Sequence, residues 1–185
     1  MSATIEPISS SELSERFATW IRELGNEALQ LALLLEDSNV PHSAKLLLAG
    51  TLNYLFRSSD LVPDGIDEIG YLDDAFVLRV GAILAKKELS QSHFLVDRLA
   101  EEASLIRDFL GEMYSRLEHY VSNLQSLPAR GRKAQDIIGE ASQLAGFISE
   151  IRTFSKEYEP TPIGHDQKSL LRLRAFFDAK LPPVL

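Results

Sequence analysis

Between Val96 and Leu127 apolar residues recur at alternating steps of three and four without a break: Val96, Leu99, Ala103, Ile106, Leu110, Met113, Leu117, Tyr120, Leu124 and Leu127. A stripe of that period lies along one face of an α-helix. Strand side chains alternate with a period of two and cannot form it. The pattern holds over four heptads, in the a/d spacing of a helix that packs along a seam. Pro128-Ala129-Arg130-Gly131 stops it, and a second stripe follows through Ala134, Ile137, Ala141, Leu144, Ile148, Ile151, Ser155 and Tyr158. Two helices joined by so short a turn run antiparallel. Residues 92–158 are therefore expected to form a long helical hairpin, its first arm about 50 Å long.

The rest of the chain reads the same way. Ser9, Ser10 and Ser11 offer an N-cap, with Glu12 and Glu15 in the first turn where the helix dipole favours negative charge. Leu13, Phe17, Trp20, Ile21, Leu24, Ala28, Leu31 and Leu35 then trace one helical face to about Asp37. Pro41 suits the first turn of a second helix that runs from Ala44 to Phe56. A third spans roughly Asp73 to Leu89, with Lys86 and Lys87 near its C-terminus. The stretch from Glu159 to Asp166, with Pro160, Pro162 and Gly164, reads as a loop before a short helix from Gln167 to Lys180. No segment alternates apolar and polar residues with β-branched enrichment. The expected fold is an all-α bundle of five to six helices, a single domain over 1–185 that carries the hairpin at 92–158.

Composition narrows the partners. The chain has 19 basic and 27 acidic residues, a formal net charge of −8. Phosphate backbones repel such a surface, so nucleic acid is excluded as an expected partner. Arg130, Arg132 and Lys133 form the one tight basic group, at the hairpin turn. There is no cysteine, which removes disulfides, thiolate metal sites and thiol nucleophiles. That absence, with no basic-then-apolar leader in the first residues, leads to the expectation of a soluble cytoplasmic protein. No apolar run reaches the roughly 18–20 residues that span a bilayer. Peripheral membrane association through the second and third helices is a further reading, and core burial accounts for their apolarity more simply.

One segment stands apart. Asp60, Asp64, Asp67, Glu68, Asp73 and Asp74 fall within fifteen residues, and no Lys or Arg lies between Arg57 and Arg79. Leu61, Val62, Ile66, Ile69, Tyr71 and Leu72 are interleaved with them, so the loop is expected to tuck its apolar side chains into the body. Three readings follow. In the first, the acids serve as local caps and turn residues, with Asp73 or Asp74 starting the third helix and Asp64-Gly65 a turn dipeptide. Alternatively Asp60, Asp64, Asp73 and Asp74 hold Mg²⁺ or Ca²⁺, since hard cations take carboxylate oxygens, as a cation-binding protein or a metal-dependent hydrolase. In the third, the segment is a docking patch for a basic partner. The spacing does not match an EF-hand loop.

Tyr54-Leu55-Phe56-Arg57-Ser58-Ser59-Asp60-Leu61-Val62-Pro63-Asp64 followed by Ile69-Gly70-Tyr71-Leu72-Asp73-Asp74 resembles the signature of the YkvA-like family, the domain of unknown function 1232. The resemblance covers residues 45–84. Asp67 and Glu68 stand where that family carries apolar residues or proline, which makes this loop the more acidic. The resemblance implies a helix–loop–helix module, found in bacterial proteins that are sometimes membrane-associated, and supplies no active site.

Elsewhere chemistry is sparse. His42, His93, His119 and His165 form no pair at the spacing a helical zinc site needs. No phosphate-cradling glycine loop or nucleophile elbow is present. Gly50, Gly81, Gly111 and Gly146 sit inside helices, where close packing is the expected reason. Arg79, alone in an apolar helix, is expected to pair with an acid of the linker or to face solvent. Glu101, Glu102 and Glu140 lie off the stripe and are expected in solvent. Phe94, Leu105 and Phe109 lie off it too and suggest a second contact surface. The expected function is a non-enzymatic interaction or scaffolding module acting through helical surfaces, with a protein partner or a homodimer.

Overall fold

A computed structural model describes residues 8–66, 69–160, 162–163 and 167–184. Asp67, Glu68, His165 and most of the 159–166 loop's second half lie outside the described residues, as do the first seven.

The chain is all-α, and no strand occurs among the described residues. Helix α1 (Ser10–Leu33) opens on a capping box: the Glu12 N–H donates to the Ser9 hydroxyl at 3.2 Å, and the Ser9 N–H donates to the Glu12 carboxylate at 2.9 Å. Helix α2 (His42–Asn53) runs on into a 3₁₀ turn, Tyr54–Phe56. Helix α3 (Leu72–Glu88) is buried on every side along Leu72–Ala82, as an all-round apolar helix must be. It is the axis of the body, packed by α2, α1 and the helices that follow. Phe17, Trp20, Phe76, Phe109 and Phe177 interlock on it, with ring centroids 5.0–6.0 Å apart and mostly edge to face.

The expected hairpin is corrected. Its first arm is helix α4 (Phe94–Leu110) and helix α5 (Tyr114–Asn123), separated at Gly111, whose φ of 57° and ψ of −126° fall in a region that only glycine enters freely. The second arm is α6 (Ala134–Gly139) and α7 (Ala141–Glu157), separated at the extended Glu140. The arms do not zip along one another. Helix α4 packs on α3, α6 on α2 and α7 on α1, because the heptad positions Val96, Leu99, Ala103, Ile106, Leu117 and Leu124 enter the common core. The five to six helices expected are eight α-helices among the described residues, the last being α8 (Gln167–Lys180). Of the surface expected off the stripe, Phe109 is core and Leu105 packs against it, while Phe94 stays 82% exposed.

Close packing explains two of the four helical glycines. A Cβ on Gly50 would lie 2.5 Å from the Gln125 backbone, and one on Gly81 would collide with Thr51, whereas Gly111 and Gly146 face open space. No helix among the described residues is long and apolar enough to cross a membrane. The apolar residues of α2 and α3 lie within the body.

Candidate functional site

The acidic segment forms the loop between α2 and α3, and a chain of hydrogen bonds pins it. The Tyr54 hydroxyl donates to Asp73 Oδ2 at 2.5 Å and accepts the Leu61 N–H at 2.8 Å. The same Asp73 oxygen accepts the Val62 N–H at 3.0 Å. An aromatic at the end of α2 and an acid in the first turn of α3 therefore clamp the Asp-Leu-Val turn between them. Further along, Asp64 and Gly65 are the central residues of a turn closed by the Ile66 N–H on the Pro63 carbonyl at 3.0 Å. Gly70 is required by close approach: a Cβ there would lie 2.5 Å from the Asp64 carbonyl oxygen.

Of the six acids, Asp60, Asp64, Asp73 and Asp74 are described. Asp73 is fully buried and Asp74 is 3% exposed. Burial and then the charge of Asp73 push the Asp74 carboxyl well above the ordinary range, and burial lifts Asp73 against the pull of its Tyr54 and Val62 hydrogen bonds. Burial, then the charges of Asp73 and Asp64, push Asp60 up to about 7. Asp64 stays open to solvent, and partial burial raises its carboxyl. Among the described residues no three acidic or histidine side chains come together in a way that could hold a metal ion. The turn expectation holds for Asp64-Gly65; Asp73 and Asp74 lie in the first turn of α3, but its N-cap is Tyr71 and makes no side-chain cap bond, and Asp73 braces the loop instead.

Beside the braced loop lies a cleft of about 380 Å³, with the loop and the 3₁₀ turn on one wall and α7 on the other. Phe56, Tyr71 and Phe154 line it, with Asp64, Glu150, Glu157 and Arg130 among them. Tyr71 meets Tyr158 edge to face at 5.2 Å. Arg130 lies 4.5 Å above the Phe56 ring. Glu150 is spanned by both Nη atoms of Arg132 at 2.6 and 2.7 Å, which hold its carboxyl below the usual range. Asp64 and Glu157 are the solvent-open carboxylates that remain.

Tyr71 (φ 66°) and Arg130 (φ 49°) are the two non-glycine residues with left-handed backbone among those described, and both line this cleft. Arg130 and Gly131 (φ 77°) form the centre of a two-residue turn closed by paired bonds between Ala129 and Arg132 at 3.0 and 3.1 Å. Left-handed backbone in a bulky residue costs energy and persists where the surroundings fix it. The sequence signals for this cleft were weak: its far wall, Glu150 to Glu157, is remote in the chain and carries no motif.

A second buried polar group went unread in the sequence. Arg79 is fully buried, and neither of its expected settings holds. Its Nη2 meets Glu27 at 3.1 Å, its Nε meets Glu102 at 2.8 Å, and its guanidinium lies 4.1 Å over Trp20. Arg98 closes the network onto Glu27 and Glu23, both at 3.0 Å. Glu102 is thus paired, not free in solvent.

Residues 44–79 match the family model described as a protein of unknown function, DUF1232, overlapping the segment 45–84 whose motif resembles it. No curated protein matches the chain. No solved structure matches it either.

Proposed function

We propose that the protein is a non-enzymatic interaction module whose cleft beside the braced loop docks a basic segment of a protein partner. The observation that carries the reading is the coincidence of both left-handed non-glycine residues, Tyr71 and Arg130, on one aromatic-lined cleft. Strain of this kind gathers at binding surfaces. The occupant follows from charge. Asp64 and Glu157 are unneutralised at the rim, and Tyr71 and Phe154 offer ring faces, that of Phe56 being held by Arg130. Ring faces beside carboxylates favour lysine or arginine side chains. A second copy of this chain, with a net charge of −8, is the poorer candidate because like-charged surfaces repel.

The test is an NMR titration of the labelled protein with a short Lys/Arg-rich peptide containing aromatic residues. Shifts are expected to centre on Tyr71, Phe154 and Glu157 and to weaken with added salt. Glu157→Lys is expected to weaken binding about tenfold or more. Shifts scattered over the surface, or equal binding by Glu157→Lys, would sink the reading.

A further inference from the structure

A smaller cavity of about 220 Å³ lies between the start of the acidic loop and the turn before α6, lined by Arg57, Ser58, Ser59 and Arg130 with Pro128 beside them. Arg57, on its lining, carries buried donors the fold leaves unserved, with Asp60 its nearby charge. Its Nε and Nη1 are closed off from solvent and have no hydrogen-bond partner. A guanidinium is always charged and its N–H groups cannot be shed, so donors held this way are costly unless an acceptor arrives. Arg130 has capacity to spare: its partner Glu150, at 3.3 Å, is already spanned by Arg132. Its guanidinium lies over the Phe56 ring, and Nη1 alone of its nitrogens is bonded, to Glu150.

We infer that this cavity is an oxyanion site, taking one phosphate or carboxylate group between the guanidinium forks of Arg57 and Arg130. Forked donors match the paired oxygens of these groups. The Ser58 and Ser59 hydroxyls can donate to a third oxygen. A side-chain rotation of Arg57 turns its unpartnered hydrogens toward the cavity and gives them the acceptor the chain lacks. Asp60 is the neighbouring carboxyl that would oppose an anion. It carries only part of a charge at neutral pH, because burial and the charges of Asp73 and Asp64 push it up to about 7. The inference does not rest on the reading of the cleft: the two share Arg130, but Arg57 lies outside the cleft and Glu157 outside this cavity, so Arg57→Gln and Glu157→Lys test them separately.

The experiment is calorimetric titration and thermal melting of the full chain with inorganic phosphate and, separately, acetate, at constant ionic strength. Saturable binding of one of them is expected, with the preferred anion naming the group. Arg57→Gln is expected to lose about tenfold or more in affinity while melting, without anion, no lower than the parent, since the change removes unserved donors. A merely structural arginine would give the opposite: a lower melting point and an unchanged response to anion. Arg130→Gln, at the more exposed position, is expected to weaken binding as well and guards against misfolding of the first variant. N-acetylphosphoserine amide separates the sources: tighter binding than inorganic phosphate assigns the group to a polypeptide, weaker binding to a free anion. Absence of saturable binding by both anions, or parental affinity in both variants, overturns the inference.

Discussion

Two regions of this protein bury carboxyl groups, and they do so in opposite ways. Around Arg79, burial lifts the Glu27 carboxyl, and two arginines, Arg79 and Arg98, pull it back. That network joins α1, α3 and α4 and ends in the stacked Trp20. Under the acidic loop, Asp73 and Asp74 are as deeply buried, but their partners are neutral, a tyrosine hydroxyl and backbone N–H groups. The first region holds its charges by pairing them. The second gives its carboxyls no cation, so burial raises their hold on protons, Asp73 to about 6 and Asp74 further. Paired charges tie helices together, whereas uncompensated acids buried beneath a loop remain responsive to pH.

The largest effect is expected where a charge pair is cut. Arg79→Met removes the fully buried cation between Glu27 and Glu102, leaving them only the half-buried Arg98, and is expected to cost about 3–5 kcal/mol in a urea unfolding experiment. A loss under about 1 kcal/mol would show that the network is not the tie we describe. Next in size is the brace. Tyr54→Phe keeps the ring but strands the Leu61 N–H and removes a donor from Asp73, an expected loss of about 1–3 kcal/mol. A double-mutant cycle with Asp73→Asn should give a clearly non-zero coupling, and simple additivity would break the brace.

The smallest effect sharpens the contrast most. Asp60, Asp73 and Asp74 bind protons more tightly folded than unfolded. Their neutral forms therefore stabilise the fold fully below the unfolded value near 3.8, and that stability is lost as pH rises, through about 7 for Asp60. The urea midpoint is expected to be higher at pH 5 than at pH 8. Asp60→Asn with Asp74→Asn should flatten that slope while retaining the Arg79 network. A midpoint that rises with pH in the parent would reverse the assignment.

How much of this could be read from the chain depended on range. The helices closed by local signals were legible: Ser9 with Glu12 marks the start of α1, and Gln167 to Lys180 is α8 as its flanking prolines suggest. The motif at 54–74 located the candidate site, because its spacing is a local record of a local brace. The partners of Arg79 were not legible. Glu27 and Glu102 lie 52 and 23 residues away, and no periodicity encodes a cross-helix ion pair. The hairpin misled for a related reason. An a/d stripe states which face is apolar, not which neighbour covers it, and here the body covers it. The far wall of the cleft escaped for the same cause.

Gly111 decides the outline of the molecule. Nothing crowds its missing side chain, so the selection for glycine there acts on the backbone alone. A residue with a Cβ could be housed sterically but could not readily hold φ 57°, ψ −126°. Without that bend, α4 and α5 would run on as one straight rod and carry Leu117 and Leu124 out of the core into water. A single position without a side chain thus converts what would be a protruding lever into a wrap, and Tyr54, which braces the acidic loop, owes its neighbour Tyr120 to that turn of the path.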